Sequence, residues 1–222
     1  MSFKKARVFD RTNSTPAFLS AGGITDFIYE ISGNISDKHM QEINHMDTKD
    51  NVRVRIKAIK DKGFSLEFLK VANEVFNLNL QFIDSKMPDI LAFLLKYFYI
   101  GKADIVKDLI EFIQIINPCN FNSTLGHEFY EHKVKKFMIG VALGMNPSKV
   151  WTGEFDTTSG HVVIKEDKEM LCYHVYNHDE LQNYLLNNVK FETLSNSRHD
   201  FGKIYKVNNE YFINLNLQLR FI

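Results

Sequence analysis

Apolar residues recur at helical spacing through the middle of the chain. Met40, Ile43 and Met46 stand three apart behind Ser36, whose hydroxyl suits an N-cap, and predict a helix starting at 36. Val52, Ile56 and Ile59 predict a second helix over 51–60, with these three side chains inward. Gly63 ends it, and FSLEFLKV reads as a strand. Residues 90–99 form a strongly apolar helix with Pro88 in its first turn, where a missing N–H leaves no bond unmade. Residues 104–116 carry Ile105, Leu109, Phe112, Ile113 and Ile116 on one face and stop at Asn117-Pro118. In a third long helix, 129–143, the apolar stripe is Val134, Phe137, Met138 and Val141, set among Lys133, Lys135 and Lys136.

From Gly144 onward the spacing changes to strands and turns. Residues 161–166 and 170–176 predict a hairpin across Asp167-Lys168, 180–186 a short helix, and Asn208-Asn209 the turn of a last hairpin, because Asn tolerates positive φ. Ahead of the first helix, Thr12 to Pro16 and Ala21-Gly22-Gly23 are turn-rich, and ITDFIYEI reads as a strand or short helix. The pattern is α+β, with a helical first half (helix-rich 36–143) and antiparallel β hairpins in the second half (β-rich 150–222). One compact domain over 1–222 is expected from the length.

Composition narrows the function. Lysine plus arginine equals aspartate plus glutamate at 27 each, so no global basic field announces a nucleic-acid partner, and any DNA-facing charge must be local. Nineteen Phe and nine Tyr supply a large core. Cys119 and Cys172 lack CxxC spacing, which fits a reducing cytoplasm. Asp10 and Arg11 interrupt the start, so no secretory signal is expected, and Lys96 breaks the most apolar run below membrane-spanning length. A soluble, cytoplasmic protein is expected.

Several motifs point to chemistry only on paper. His127 and His132 are five residues apart, whereas a zinc-protease helix needs four. Pro88-Asp89 with Glu131-His132-Lys133 spells a metal-nuclease pattern, but both pieces fall on predicted helices and not on converging strands. Asp156 with Glu166-Asp167-Lys168 sits on strand-like sequence, yet coincides with the hairpin turn. Cys172 and His174 share a strand face without a second ligand pair.

The stretch 190–206, KFETLSNSRHDFGKIYK, is polar, partly basic and flanked by strand-like segments. Lys190, Arg198, His199 and Lys203 suit phosphates, and Arg198 also suits guanine O6 and N7. Thr193, Ser195, Asn196 and Ser197 suit backbone or base edges, with Asn177 and His178 closing the preceding hairpin nearby. Composition alone favours an ordinary polar loop.

The runs ALGM at 142–145, Trp151-Thr152-Gly153, HVVIKEDKEMLCYHVYN, NNVKFETLSNSRHDFG and LNLQLRF, with FIDSKMPDILAFLL and TPAFLSAGGITDFIYEI upstream, resemble the C-terminal part of the HpaII family of type II restriction endonucleases. The resemblance covers nearly the whole chain, and SRHDFG and LNLQLRF are its most specific parts. It implies a cytoplasmic enzyme of a restriction-modification system that cuts double-stranded DNA with Mg²⁺, CCGG being the family's best-known target. The family's catalytic Asp and Lys-bearing motif stand ahead of the segment matching TPAFLS. Here MSFKKARVFDRTNS occupies that place without an Ile-Lys-Ser match, so catalytic and metal residues stay unassigned. The expectation is a restriction-endonuclease-like core whose metal-binding catalytic centre is either incomplete or unrecognisable: a C-terminal portion, a decayed copy, or a split subunit whose homodimer partner or companion chain supplies the nuclease motif. A non-catalytic DNA-binding remnant and a globular interaction protein without a nucleic-acid role are the alternatives.

Overall fold

The computed structural model describes residues 17–46, 51–154, 161–164, 170–173, 178–193 and 202–222. Strand β1 (Ala17–Leu19) leads through a 3-10 turn (Gly22–Thr25) into β2 (Asp26–Ser32). There follow α1 (Asp37–Asn44), α2 (Asn51–Asp61), β3 (Ser65–Val71), α3 (Glu74–Ile83), α4 (Met87–Tyr99), α5 (Val106–Ile116) and α6 (Phe129–Ala142). The last third holds β4 (His161–Ile164), β5 (Met170–Tyr173), α7 (His178–Asn188), β6 (Val189–Phe191), β7 (Ile204–Val207), β8 (Glu210–Asn216) and β9 (Leu219–Phe221). The fold is α+β, and every strand pairing among the described residues is antiparallel.

The main sheet runs β3-β2-β8-β7, a second runs β1-β9-β6, and β4 pairs with β5. Both larger sheets join strands from opposite ends of the chain. Asp26 lies opposite Asn216 and Glu30 opposite Phe212 in the β2–β8 pair, while Ala17 lies opposite Arg220 in β1–β9. Phe27, Tyr29, Ile31, Ile213 and Leu215 are buried in one core with Leu91, Leu94, Leu95 and Phe98 of α4. Each such side chain contributes about 1.5–3 kcal/mol.

Helix α4 is apolar nearly all round because it is enclosed. Two buried tyrosines tie it to the sheet: the Tyr29 hydroxyl donates to Ala92 O at 2.6 Å and that of Tyr99 to Asn216 O at 3.3 Å. Burial, reinforced by Tyr99, pushes the Tyr29 phenol well above its ordinary pKa, so it stays a donor. At the outer edge of β3, Lys96 Nζ donates to Leu66 O at 2.6 Å. A register shift between Ile28 and Tyr29 bends the same edge, and both features discourage strand addition there.

Local signals explain most element ends. Ser36 Oγ accepts from His39 N at 3.5 Å, capping α1, and the turn between β7 and β8 has Asn208 and Asn209 at φ 49° and 69°. Val52, Ile56 and Ile59 point inward as expected. Two readings need correction. Ile105 is the extended residue before α5 and Ile116 is 43% exposed, so neither belongs to that helix's buried stripe. Helix α3 was not anticipated, although Asn73 Oδ1 caps it by accepting from Phe76 N at 2.9 Å.

Candidate nucleic-acid interface

The polar stretch 190–206 is described through Thr193, just past β6, and again from Gly202, just ahead of β7. On the upstream side, Lys190 pairs with Arg220 of β9 and bridges to Ile105 on its other flank. Phe191 N donates to Asp104 O at 2.8 Å and Glu192 N to Gln218 O at 3.0 Å. The Phe191 ring is buried 5.4 Å from that of Phe98. Lys190 and Arg220 thus stand directly opposite one another, an unfavourable pairing that Glu192 relieves through an ion pair with Arg220.

On the downstream side, Gly202 N donates to Asn214 O at 3.1 Å, and Gly202 O accepts from Arg55 Nη1 at 3.2 Å. Arg55, 5% exposed, spends its other terminal nitrogen on Asn44 O, also at 3.2 Å. Asn44 reads the backbone of Ile204 from both sides, donating to its carbonyl at 2.7 Å and accepting from its N–H at 2.8 Å. One residue pair further, Lys206 Nζ contacts both Asp37 oxygens, at 2.8 and 3.1 Å.

Helix α2 joins the two sides. Val52 packs on Gly202, Arg55 holds the Gly202 carbonyl, and Arg53 Nη2 meets Asp104 Oδ1 at 2.5 Å with its guanidinium 4.6 Å over the Phe98 ring. Asp104 is the same residue whose carbonyl receives Phe191 N. A single turn of one helix therefore touches the downstream flank at Gly202 and, through Asp104, the upstream flank at Phe191.

Of the residues that suit DNA, Lys190, Thr193 and Lys203 are described. Lys190 and Thr193 are half-buried on the upstream side, and Lys203 is exposed one residue after Gly202. They flank the segment 194–201. Asn177, Ser195, Ser197, Arg198 and His199 lie outside the described residues, as does the side chain of His178, whose backbone opens α7. Sequence reasoning missed Asn44, Arg53, Arg55 and Arg220. A signal existed for two of them, since residues 51–62 hold five cations against the lone carboxylate Asp61 in a chain of zero net charge.

With these positions fixed, the comparisons with known proteins bear on a defined surface. A family profile described as HpaII restriction endonuclease matches residues 9–221. The chain belongs to the HpaII restriction endonuclease family. The type II restriction enzyme HpaII of Haemophilus parainfluenzae is 44% identical over 209 residues, which are 94% of this chain and 57% of that enzyme. The chain thus spans little more than half the length of that curated relative. No solved structure matches it.

The HpaII family implies Mg²⁺ chemistry, and the described residues do not fit such a site. Among them no three His, Cys, Asp or Glu side chains come together to hold a metal ion. Asp89 pairs with Lys86 at 3.3 Å, Glu131 with Lys135 at 2.5 Å, and Lys133 with Asp84, so the pieces of the paper nuclease motif face different partners. His127 precedes α6 while His132 lies within it, both exposed. Trp151 is a packing anchor: its ring meets Phe82 edge-on at 6.0 Å and its backbone N–H donates to Asn79 Oδ1 at 2.9 Å. Asp156, Glu166, Asp167, Lys168 and His174 lie outside the described residues.

Proposed function

We propose that this chain works, as a single folded unit, as the DNA-recognising part of a type II restriction endonuclease that cleaves double-stranded DNA at a short CCGG-like site. The observation that carries the reading is that both flanks of 194–201 are held by the fold, Gly202 by Arg55 of α2 and Phe191 by Asp104, which itself pairs with Arg53 of α2. Base discrimination requires donors and acceptors held in place before the DNA arrives. The described flanks, Lys190 and Thr193 on one side and Lys203 on the other, stand next to positions held by the fold, through buried Arg55 and half-buried Asn44 on the downstream side, which supports this reading of the stretch between them. Lys190, half-buried beside the Arg220–Glu192 ion pair, supplies a cation for phosphate in this reading.

In this reading Arg198 pairs with guanine, the serines and Thr193 meet backbone or base edges, and Lys190, His199 and Lys203 meet phosphate. Asn177 and His178 add further DNA contacts in the same reading. Mg²⁺ as cofactor, a cytoplasmic location beside the DNA, and a partner in the form of a second copy or a companion chain belong to the same proposal. No catalytic step is assigned to the described side chains.

The test is equilibrium binding of the purified chain to a CCGG-containing duplex and to a scrambled one, with cleavage followed in Mg²⁺. Specific sites bind roughly 10³-fold or more tighter than random sequence. Equal affinity for the two duplexes would overturn the recognition role, and binding without cleavage would confine the chain to recognition.

A further inference from the structure

Helix α3 buries Phe76 and Leu80 and turns a second apolar line to solvent: Leu78 is 55% and Phe82 63% exposed. At 3.6 residues per turn, Glu74, Leu78 and Phe82 fall within about 80° of one another and form one ridge about 12 Å long. Beside the ridge runs the loop 146–151, fastened by buried Asn79, which donates to Lys149 O at 2.8 Å and accepts from Trp151 N at 2.9 Å. Between those two anchored residues stands Val150, 79% exposed, and the Trp151 ring meets Phe82 edge-on. Gly153, at φ +82°, lets the Phe82 ring lie close to the backbone, since a Cβ there would stand 2.9 Å from Phe82 Cε1. Leu78, Phe82 and Val150 are thus large apolar side chains on a fixed base that the fold leaves mostly in water. Contiguous exposed apolar surface of this kind marks an interaction site.

We propose that this patch pairs with the same patch of a second copy of the chain, α3 crossing α3 antiparallel about a two-fold axis. Of the two partners named in the functional reading it commits to the second copy, and it rests on that reading only for the existence of a partner. Three features favour a like partner. A ridge of residues four apart packs into the grooves of an identical helix, the commonest way in which helices meet. Two-fold pairing of one surface with itself closes, leaving no further copy to recruit. The rim is charged in the complementary sense: Glu74 opens α3 and Lys149 stands on the loop tied to its second half, both exposed and without an ion-pair partner among the described residues. An antiparallel crossing brings Glu74 of each copy toward Lys149 of the other. The patch is small beside the roughly 800 Å² per partner of a standard interface, so the association is weak.

The experiment is sedimentation of the purified chain without DNA over about 1–200 µM, the range of a weak dimer. Emission from Trp151, the sole tryptophan of the chain, is followed across the same range. The wild-type chain should pass from monomer to dimer, and Trp151 emission should shift to shorter wavelength as its surroundings lose water. Leu78→Asp and Val150→Asp should each weaken the association by about tenfold or more. Lys149→Glu should also weaken it, and adding Glu74→Lys to that variant should restore it. A chain that stays monomeric at every concentration, with Trp151 emission fixed, overturns the pairing and leaves the patch to an unlike polypeptide. A dimer indifferent to both aspartate variants, or a Lys149→Glu loss that Glu74→Lys does not repair, overturns it as well. Preference for the CCGG duplex is measured separately: a monomer that keeps it refutes the pairing alone, and a dimer that lacks it refutes the DNA reading alone.

Discussion

Val52 fills the space in which Gly202 would carry a side chain: a Cβ at that glycine would stand 2.7 Å from Val52 Cγ2, and the glycine sits at φ +65°. Gly202→Ala should therefore cost about 2–4 kcal/mol, part from the left-handed backbone and part from overlap. In a Val52→Ala background the same change should cost less, about 1–3 kcal/mol, because the methyls at 2.7 and 2.8 Å are gone while the Val52 Cβ position stays at 3.0 Å. Urea unfolding of the four proteins in the cycle measures the difference, and an equal cost in both backgrounds would show that the contact does not matter.

The paired hydrogen bonds of Asn44 to Ile204 predict a second outcome. Asn44→Ala leaves a backbone donor and acceptor of β7 without their partners and should destabilise the fold by about 1–3 kcal/mol. Its larger effect should be on discrimination, because the downstream flank then loses its side-chain hold at Ile204 and keeps Arg55 and the Gly202–Asn214 bond at Gly202. The ratio of affinities for CCGG and scrambled duplexes reads this, and a stability loss with an unchanged ratio would assign Asn44 a purely structural role.

Within the segment, Arg198→Ala should cost about 1–3 kcal/mol on the CCGG duplex and relax preference at one base pair. Lys203→Ala should weaken binding to all sequences alike. Competition against single-base variants of the site separates the two, and equal loss on every duplex for the Arg198 change would make it a phosphate contact.

These expectations were only partly legible in the sequence. The β7–β8 turn was, because positive φ at Asn208 and Asn209 is a local demand that asparagine meets locally. The inward faces of α2 and α6 were, because burial on one side imposes a helical period. Helix α3 was not: Phe76, Leu78, Leu80 and Phe82 alternate in the manner of a strand, yet only Phe76 and Leu80 are buried, while Leu78 and Phe82 are 55% and 63% exposed. The anchoring of the segment was beyond local reading, since Arg55 and Asn44 act 147 and 160 residues away from Gly202 and Ile204. The residue types suited to DNA could be recognised, but not the framework that holds them.

Stability should also depend on pH through Asp37 and Lys206, which fasten α1 to β7. Hydrogen bonds from Lys206, then Tyr211, hold the Asp37 carboxyl below its ordinary value, and the bond to Asp37 raises Lys206. The Asp37 contribution is complete above an unfolded pKa of about 3.9 and is lost as pH falls through the depressed folded value. The Lys206 contribution is complete below about 10.4 and is lost as pH rises through the raised folded value. Thermal midpoints at low salt should thus decline at both extremes, and Asp37→Asn should flatten both arms; arms unchanged in that variant would place the dependence elsewhere.

The pairing of Asp26 with Asn216 sets a timetable for synthesis. At about 5–20 residues per second, the separation of 190 positions takes the ribosome on the order of 10 to 40 s to cover. During that time β2 has only β3 to pair with, and its other edge stays open until the last strands emerge. A nascent chain arrested before β8 would hold most of its helices and an unfinished sheet, the state in which this protein is most exposed to aggregation and most dependent on chaperones.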